Sequence, residues 1–277
     1  MTDHSNAPLA SDTAMVLAAG LGKRMRPLTA SQPKPLVRVA GKALVDHALD
    51  RLAAAGVAKA VVNVHYLADA LEAHVLARKA PKVTVSDERA QLLETGGGMK
   101  RALGLLPDPF FAVNSDNIWL EGPRDAFRDL SDVWDAAKMD ALLLLVPHSG
   151  AHNFPGKGDF HMTADGRVTR RRSGRIAPFI YTGIQLVSHR LLRDSPDGPF
   201  STNVLWDRAV EEGRLYGVAF TGRWFEVGSP EAIAPTEAAL RDAGAGQPAQ
   251  ASLSAASVGA MASGVPTSNQ RPVKVMP

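Results

Sequence analysis

The first half of the chain alternates short apolar segments with amphipathic segments of helical period, and this alternation restricts the fold more than any other feature. Strands are predicted at Met15–Ala19, Ala60–His65 and Lys82–Ser86, with helices between them at Leu44–Ala55 and Leu67–Ala77. Apolar strands that alternate with amphipathic helices indicate a parallel sheet covered on both faces. The order βαβαβ therefore places the chain in the α/β class.

The alternation continues to residue 146, with helices predicted near Gly98–Leu105 and Arg124–Ala137 and strands at Phe110–Asn114 and Ala141–Val146. We therefore predict an α/β fold, a Rossmann-like three-layer α/β/α arrangement with a mostly parallel sheet. In open sheets of this kind, ligands bind at the carboxyl ends of the strands. The loops that begin at Gly20 and Ser115 both follow strands directly, so we expect them to share one crevice.

The pattern changes after Pro147. An Asp-Gly turn between two short alternating runs predicts a hairpin within residues 158–171. The remaining predicted elements are strands at 179–187, 215–220 and 223–228 and helices at 202–212 and 230–241. We interpret this region as a small antiparallel annex of the same domain.

Composition divides the chain into three parts and excludes several classes of site. Residues 1–12 are predicted to be a flexible arm, residues 13–241 a folded domain, and residues 242–277, rich in Ala, Gly and Ser, a flexible tail. The absence of cysteine excludes disulfides, zinc–thiolate sites and thiol nucleophiles. A formal net charge of only +3 does not indicate a nucleic-acid partner. Neither a membrane span nor a signal peptide is predicted, so we expect a cytoplasmic protein.

The loop after the first strand combines two glycines with several cations. A dinucleotide-binding fingerprint would need a third glycine at Met25, and a P-loop would need four residues between its glycines. What remains is a glycine loop whose backbone N–H groups approach phosphate oxygens, with Arg24 and Lys34 neutralising negative charge. The simpler alternative is an ordinary βα turn with solvated basic side chains.

Residues 17–36 read LAAGLGKRMRPLTASQPKPL. This segment resembles the signature of the sugar-1-phosphate nucleotidylyltransferases, in which Gly-x-Gly-x-Arg precedes Pro-Leu-Thr and Pro-Lys-Pro, with the lysine ten residues after the arginine. The resemblance extends over roughly residues 14–240 and includes, in order, LLETGGG, VNSDN, YTGIQL and WFEVGSP. Within that family the chain is most similar to bacterial uridylyltransferases that act on N-acetylmuramate α-1-phosphate, through LETGGG and a GDF segment.

The resemblance implies a function and a set of site residues. It implies transfer of a nucleotidyl group from a nucleoside triphosphate, UTP in the first instance, to a sugar 1-phosphate, N-acetylmuramate α-1-phosphate in the first instance, as a step of cell-wall recycling. The implied catalytic residues are Arg24 and Lys34, and the implied Mg²⁺ ligands are Asp116 and Glu226. The implied nucleotide-binding residues are Ala19, Gly20, Gly22, Lys23, Glu94, Thr95, Gly96 and Gly97. The implied sugar-binding residues are Asn114, Asp159, Thr182 and Gly183.

Several of these assignments have simpler structural alternatives. Asp116 can be a loop acid after a strand, the glycines of TGGG a flexible turn before a helix, and Thr182–Gly183 a β-bulge. The family usually has Asp where this chain has Glu226, so the role of Glu226 as a metal ligand is open. Many relatives also carry Glu-Lys-Pro before the sugar strand. Here that region reads VTRRRSGRIAPF, which leaves open whether Arg170, Arg171, Arg172 or Arg175 binds the sugar phosphate or forms a solvated face.

Two other functions remain possible from the sequence. One is guanylyl transfer to mannose or heptose 1-phosphate, which uses the same loop and metal acids. The other is a catalytically silent paralogue that binds a nucleotide sugar. Because the extension that larger relatives use for dimerisation is missing, we expect a monomer.

Overall fold

A mixed β-sheet lies at the centre of the protein in the computed structural model, which describes residues 8–245. The strands are β1 (Thr13–Leu17), β2 (Arg38–Val39), β3 (Lys42–Ala43), β4 (Lys59–Val64), β5 (Lys82–Asp87), β6 (Phe110–Asn114), β7 (Asn117–Leu120), β8 (Ala141–Pro147), β9 (Ala151–His152), β10 (Phe160–Met162), β11 (Val168–Arg170), β12 (Phe179–Val187), β13 (Leu215–Ala219) and β14 (Arg223–Glu226). The helices are α1 (Leu44–Ala55), α2 (Ala68–Leu76), α3 (Glu94–Ala102), α4 (Ala126–Val133), α5 (Thr202–Glu211) and α6 (Ile233–Ala245).

The main sheet has the strand order β5-β4-β1-β6-β12-β8-β13. Strands β5, β4, β1 and β6 are parallel, as the βαβαβ alternation predicts. Strand β12 is antiparallel to both of its neighbours, β6 and β8, which makes the second half of the sheet mixed. The predicted hairpin forms from β10 and β11 and joins the sheet at the first residue of β12. The predicted antiparallel annex is thus an extension of the main sheet.

Helices cover both faces of the sheet, which confirms the three-layer α/β/α arrangement. On one face, α1, α2 and α4 contribute apolar side chains such as Leu49, Leu71 and Phe127 to a buried cluster. On the other face, α3 and α5 contribute Met99 and Trp206 to a second cluster. Successive residues of β1 belong to opposite clusters because side chains alternate across a strand.

A small sheet of β7, β14 and β9 lies beside the main one and is not predicted as a unit. Only two residues separate the end of β6 from the start of β7, which pairs antiparallel with β14, with Asn117 opposite Glu226. Met25 and Ile118 pack with Phe225 in a third apolar cluster beneath this sheet. The small sheet therefore connects the first glycine loop to the late strand β14.

Three predicted helix boundaries shift by four residues, and one of them is the end of α4, which lies at Val133 and not at Ala137. Helix α3 begins at Glu94, four residues before the predicted start at Gly98, because the N–H groups of Gly96 and Gly97 donate to the carbonyl of Phe200 and the glycines join the helix. Helix α6 extends to Ala245, past the predicted domain end at 241. Residues 246–277 of the predicted tail and 1–7 of the predicted arm lie outside the described residues. Between residues 8 and 245, no helix is both long enough and apolar enough to cross a membrane.

Candidate active site

The loops that follow β1 and β6 meet at one edge of the sheet and border a cavity of about 380 Å³. This main cavity is lined by Leu17, Ala18, Ala19, Gly20, Lys34, Pro35, Asn63, Leu92, Glu94, Thr95, Asn114, Ser115, Asp116 and Ser201. Because β1 and β6 are adjacent and parallel, their carboxyl ends lie side by side. The predicted shared crevice is therefore present at the place where α/β proteins bind ligands.

The glycine loop folds back over the stem of Lys34. Gly22 has a left-handed backbone with φ of +61°, and a Cβ there would lie 2.8 Å from the Cβ of Lys34. The hydroxyl of Thr29 donates to the carbonyl of Gly22 at 2.9 Å and closes the loop. Gly20 differs, because a Cβ at that position would meet no other atom within 4 Å. Gly22 is thus needed for the loop to fold, whereas Gly20 leaves open space at the cavity.

Lys34 forms an ion pair with Asp116 across the cavity. Its Nζ lies 2.7 Å from Oδ2 of Asp116, and the lysine side chain is only 11% exposed. The short helical turn Lys34–Leu36 and the packing against Gly22 hold the lysine in this position. The ammonium group therefore lies fixed at the carboxyl end of β6.

A second ion pair joins Glu226 to Arg24, which lines a neighbouring cavity of about 270 Å³ that shares Gly20, Lys34 and Asp116 with the main one. Nη1 of Arg24 is 3.4 Å from Oε1 of Glu226, and the arginine side chain is 74% exposed. Pairing of Asn117 with Glu226 brings the end of β14 next to Asp116, which immediately precedes β7. Lys23 and Gly228 line the same neighbouring cavity. Two cations of the glycine loop thus face two carboxylates that come from distant parts of the sequence.

Asp116 and Glu226 supply oxygen donors of the kind that divalent metal ions take. Among residues 8–245 there is no group of three or more His, Asp or Glu side chains arranged to hold a metal. Magnesium is commonly held by one or two carboxylates, with waters and substrate phosphates as its other ligands. The oxygen donors of Asp116 and Glu226 match that requirement.

Asn63 lines the main cavity and forms a buried polar pair with Glu88 that the sequence did not predict. Oδ1 of Asn63 accepts from the N–H of Ala18 at 2.6 Å, and its Nδ2 donates to Glu88 at 2.8 Å. Glu88 also accepts from the N–H of Leu93 at 3.1 Å, and burial raises the pKa of its carboxyl. The pair therefore joins the loop after β1 to the segment before α3. Its one signal in the sequence is the polar Asn63 within an apolar strand.

The LETGGG segment lies at the cavity, but its glycines do not face it. Glu94 and Thr95 line the main cavity, and the Thr95 hydroxyl accepts from the N–H of Thr202. A Cβ at Gly96 would lie 2.4 Å from the Phe200 ring, and one at Gly97 would lie 2.5 Å from the carbonyl oxygen of Gly198. Gly96 and Gly97 do not line the main cavity, and their missing side chains make room for the segment before α5. Their part in nucleotide binding stays a prediction.

The predicted sugar residues fall into two groups. Asn114 lines the main cavity, and Asp159 lines a second cavity of about 260 Å³ with Arg170, Arg171, Tyr181 and Trp206. Thr182 is fully buried, and its hydroxyl donates to the carbonyl of Leu144. Gly183 has φ of +82° where the pairing of β12 with β8 shifts register, and a Cβ there would lie 2.2 Å from Nδ2 of Asn117. Thr182 and Gly183 form the bulge that the sequence left as an alternative.

Comparison with known proteins identifies the family. A family profile described as Nucleotidyl transferase matches residues 13–170. The chain belongs to the nucleotidyl transferase family. It is 50% identical, over 83% of its length and 97% of the relative's, to the N-acetylmuramate alpha-1-phosphate uridylyltransferase of Caulobacter vibrioides. It is 34% identical to the protein of the same name from Neisseria meningitidis serogroup B, over 78% of this chain and 93% of that one.

More distant relatives agree with this placement. The chain is 29% identical to the mannose-1-phosphate guanylyltransferase catalytic subunit beta of Danio rerio. The match covers 79% of this chain and 61% of that subunit. A solved structure of the inositol-1-phosphate CTP transferase from T. maritima superposes with a TM-score of 0.71 at 20% identity, covering 86% of this chain and 98% of that one. At that identity the likeness shows the fold alone, and it supports the layered architecture described above.

Proposed function

We propose that this protein is a Mg²⁺-dependent uridylyltransferase that converts UTP and N-acetylmuramate α-1-phosphate into the nucleotide sugar and pyrophosphate. The observation that carries the proposal is the pair of cations, Arg24 and Lys34, each facing a carboxylate, with Lys34 and Asp116 lining the cavity of about 380 Å³ and Arg24 its neighbour. The uridylyltransferase of Caulobacter vibrioides, 50% identical over nearly its whole length, supports the choice of substrates.

The reaction joins two polyanions, so the protein must mainly position them and neutralise charge. An oxygen of the sugar phosphate attacks the α-phosphorus of UTP, the bond to the bridging oxygen breaks, and pyrophosphate leaves. The attacking phosphate is already ionised at neutral pH and needs no general base. Preorganised cations and N–H donors at the reacting phosphates supply most of the stabilisation.

Each charged residue has a specific role in this proposal. Lys34, fixed by its buried stem, bridges the phosphates near the α-phosphorus, while the exposed Arg24 folds onto the leaving pyrophosphate. The open backbone at Gly20 receives a phosphate oxygen. Asp116 and Glu226 would hold Mg²⁺, which neutralises phosphate charge when it is bound. In the free protein the same carboxylates balance the two cations, so binding exchanges one set of ionic partners for another.

The proposal extends to the setting of the enzyme. We place it in the cytoplasm, in the recycling of cell-wall sugars, acting as a monomer without nucleic-acid or membrane partners. Light scattering of the purified chain that gives a stable dimer or tetramer would contradict the monomer.

The test is pyrophosphate release with Mg²⁺ across UTP, GTP, CTP, ATP and dTTP. Each nucleotide is paired with N-acetylmuramate, N-acetylglucosamine, mannose and heptose 1-phosphates. Release with UTP and N-acetylmuramate 1-phosphate is the expected result. Release confined to GTP with mannose or heptose 1-phosphate would replace it with guanylyl transfer, which ranks second because the Danio rerio guanylyltransferase is 29% identical. Nucleotide binding without turnover in any pair would indicate a silent paralogue.

A further inference from the structure

Three cavities follow one another from the paired charges toward the hairpin of β10 and β11. A middle cavity of about 220 Å³ shares Leu17, Thr95, Asn114 and Ser201 with the main cavity. The cavity of about 260 Å³ that contains Asp159 and Arg171, here called the arginine cavity, shares Tyr181, Asn203 and Trp206 with the middle one. Main and arginine cavities have no lining residue in common. The middle cavity therefore separates the two.

The middle cavity has the character of a small-ligand site. Tyr181 and Trp206 form an edge-to-face aromatic pair on its wall, with ring centroids 4.8 Å apart. Thr202 also lines it, is 4% exposed, and has a buried hydroxyl oxygen without a hydrogen-bond partner in the described structure. Aromatic walls with a few polar groups are typical of sites for small organic ligands. A sugar ring attached to a phosphate in the main cavity would enter here.

Beyond the middle cavity, Arg171 offers a guanidinium group that has no carboxylate partner. Its Nε donates to the carbonyl of Gly158 at 2.8 Å and its Nη1 to that of Arg175 at 3.2 Å, and it forms no ion pair with any residue from 8 to 245. Arg170 on the same wall is already engaged, with Nη1 2.7 Å from Oδ1 of Asn203 and Nε 3.5 Å from Asp207. With Asp159 as its one acidic wall residue, the arginine cavity has a net positive charge.

We propose that Arg171 selects substrates that carry a carboxylate on the side of the sugar away from the reacting phosphate. This inference rests on the proposed function, because it takes the phosphates to lie beside Lys34 and Asp116. The reacting phosphate is then in the main cavity, so an anion that reaches the arginine cavity must be a second one. N-acetylmuramate carries such a group in its lactyl ether, whereas N-acetylglucosamine has a hydroxyl there. A guanidinium fork binds a carboxylate through charge-assisted hydrogen bonds, and Nη2 of Arg171 is the arm that donates to none of residues 8–245.

The experiment compares these two sugar phosphates, which differ only in that substituent, on wild type and Arg171→Gln with saturating UTP and Mg²⁺. The value of kcat/KM for N-acetylmuramate 1-phosphate is expected to fall by about 10- to 100-fold, the effect of losing a charge-assisted hydrogen bond. N-acetylglucosamine 1-phosphate, measured as a substrate or through its inhibition constant against the acidic sugar, should change by less than about twofold. Arg171→Lys, which keeps the charge but not the fork, should lie between.

Arg172→Gln is the matched control, since Arg172 is an exposed neighbour that does not line the cavity. It should leave the preference for the acidic sugar unchanged. Equal losses on both sugars in Arg171→Gln, or no loss on the acidic one, would overturn the inference. Failure of the proposed function is distinguishable, because wild type would then release no pyrophosphate from N-acetylmuramate 1-phosphate before any variant is made.

Discussion

Gly20 and Gly22 lie two residues apart in one loop, yet replacement of each by alanine should have opposite consequences. A Cβ at Gly22 would lie 2.8 Å from Cβ of Lys34 and 3.1 Å from Cγ2 of Thr29, on a backbone with φ of +61°. A left-handed backbone costs alanine about 1–2 kcal/mol. Overpacking costs about 1–3 kcal/mol. Gly22→Ala should therefore lower the free energy of unfolding by about 2–5 kcal/mol.

At Gly20 the same methyl group meets no protein atom within 4 Å. Alanine at a compatible position stabilises a protein by about 0.4–1 kcal/mol through the unfolded state, so Gly20→Ala should fold at least as well as wild type. The methyl group would instead occupy the space through which a phosphate oxygen reaches the backbone N–H at about 2.9 Å. Loss of a hydrogen bond to a charged group corresponds to a rise in the KM for UTP of about 10- to 100-fold.

Thermal unfolding and pyrophosphate release separate the two effects. In a domain of this size, 1 kcal/mol shifts the Tm by about 2–4 °C, so Gly22→Ala should unfold about 4–20 °C below wild type. Gly104→Ala is the matched control, because Gly104 is exposed, lies on the short helical turn Leu103–Leu105 and likewise has no atom within 4 Å of an added Cβ. A wild-type KM in Gly20→Ala would refute the phosphate cradle, and an unchanged Tm in Gly22→Ala would refute the packing argument.

Three further results are expected. Arg24→Ala and Asp116→Ala should each reduce turnover by about a hundredfold or more, the size of electrostatic effects at reacting groups. The Tm of Arg24→Ala should stay at the wild-type value, because that side chain is 74% exposed. A near-normal rate in either variant would remove that residue from the mechanism. Glu226→Asp withdraws the carboxylate by about 1.5 Å, so half-maximal activity should need more Mg²⁺, and an unchanged Mg²⁺ titration would exclude Glu226 as a ligand. Burial raises the pKa of the Glu88 carboxyl, so the folded chain binds the carboxyl proton more tightly than the unfolded chain does. The contribution of this proton to the free energy of unfolding is complete below about pH 4.3, the unfolded pKa, and is lost as the pH rises through the folded pKa. Urea unfolding from roughly pH 4 to 7 should then show a smaller fall in stability for Glu88→Gln than for wild type, and parallel curves would contradict this account.

The sequence predicts the crevice well because its parts depend on local order. A loop that follows a strand must begin at the carboxyl end of that strand, so the segments after β1 and β6 can be placed once the strands are recognised. The parallel half of the sheet, the β10–β11 hairpin and the helices on both faces follow from periodicity and turn residues in the same way.

Residues whose roles depend on distant partners are not predictable in this way. A glycine shows that a side chain is missing but does not show which neighbour takes the space. The sequence therefore does not reveal that Phe200 and Gly198 pack against Gly96 and Gly97. Asn63 and Glu88 are 25 positions apart and meet only because β4 and β5 are adjacent. The antiparallel entry of β12 between β6 and β8 likewise has no local signal.

The pairing of β7 with β14 also has a consequence for how the protein is made. Asp116 is translated in the first half of the chain, but Glu226, which lies beside it, comes more than a hundred residues later. A nascent chain on the ribosome can therefore complete the β1–β6 half of the sheet while one wall of the site is still missing. A product truncated at any position between residues 36 and 226 would carry the whole glycine loop and would lack the carboxylate that faces Arg24.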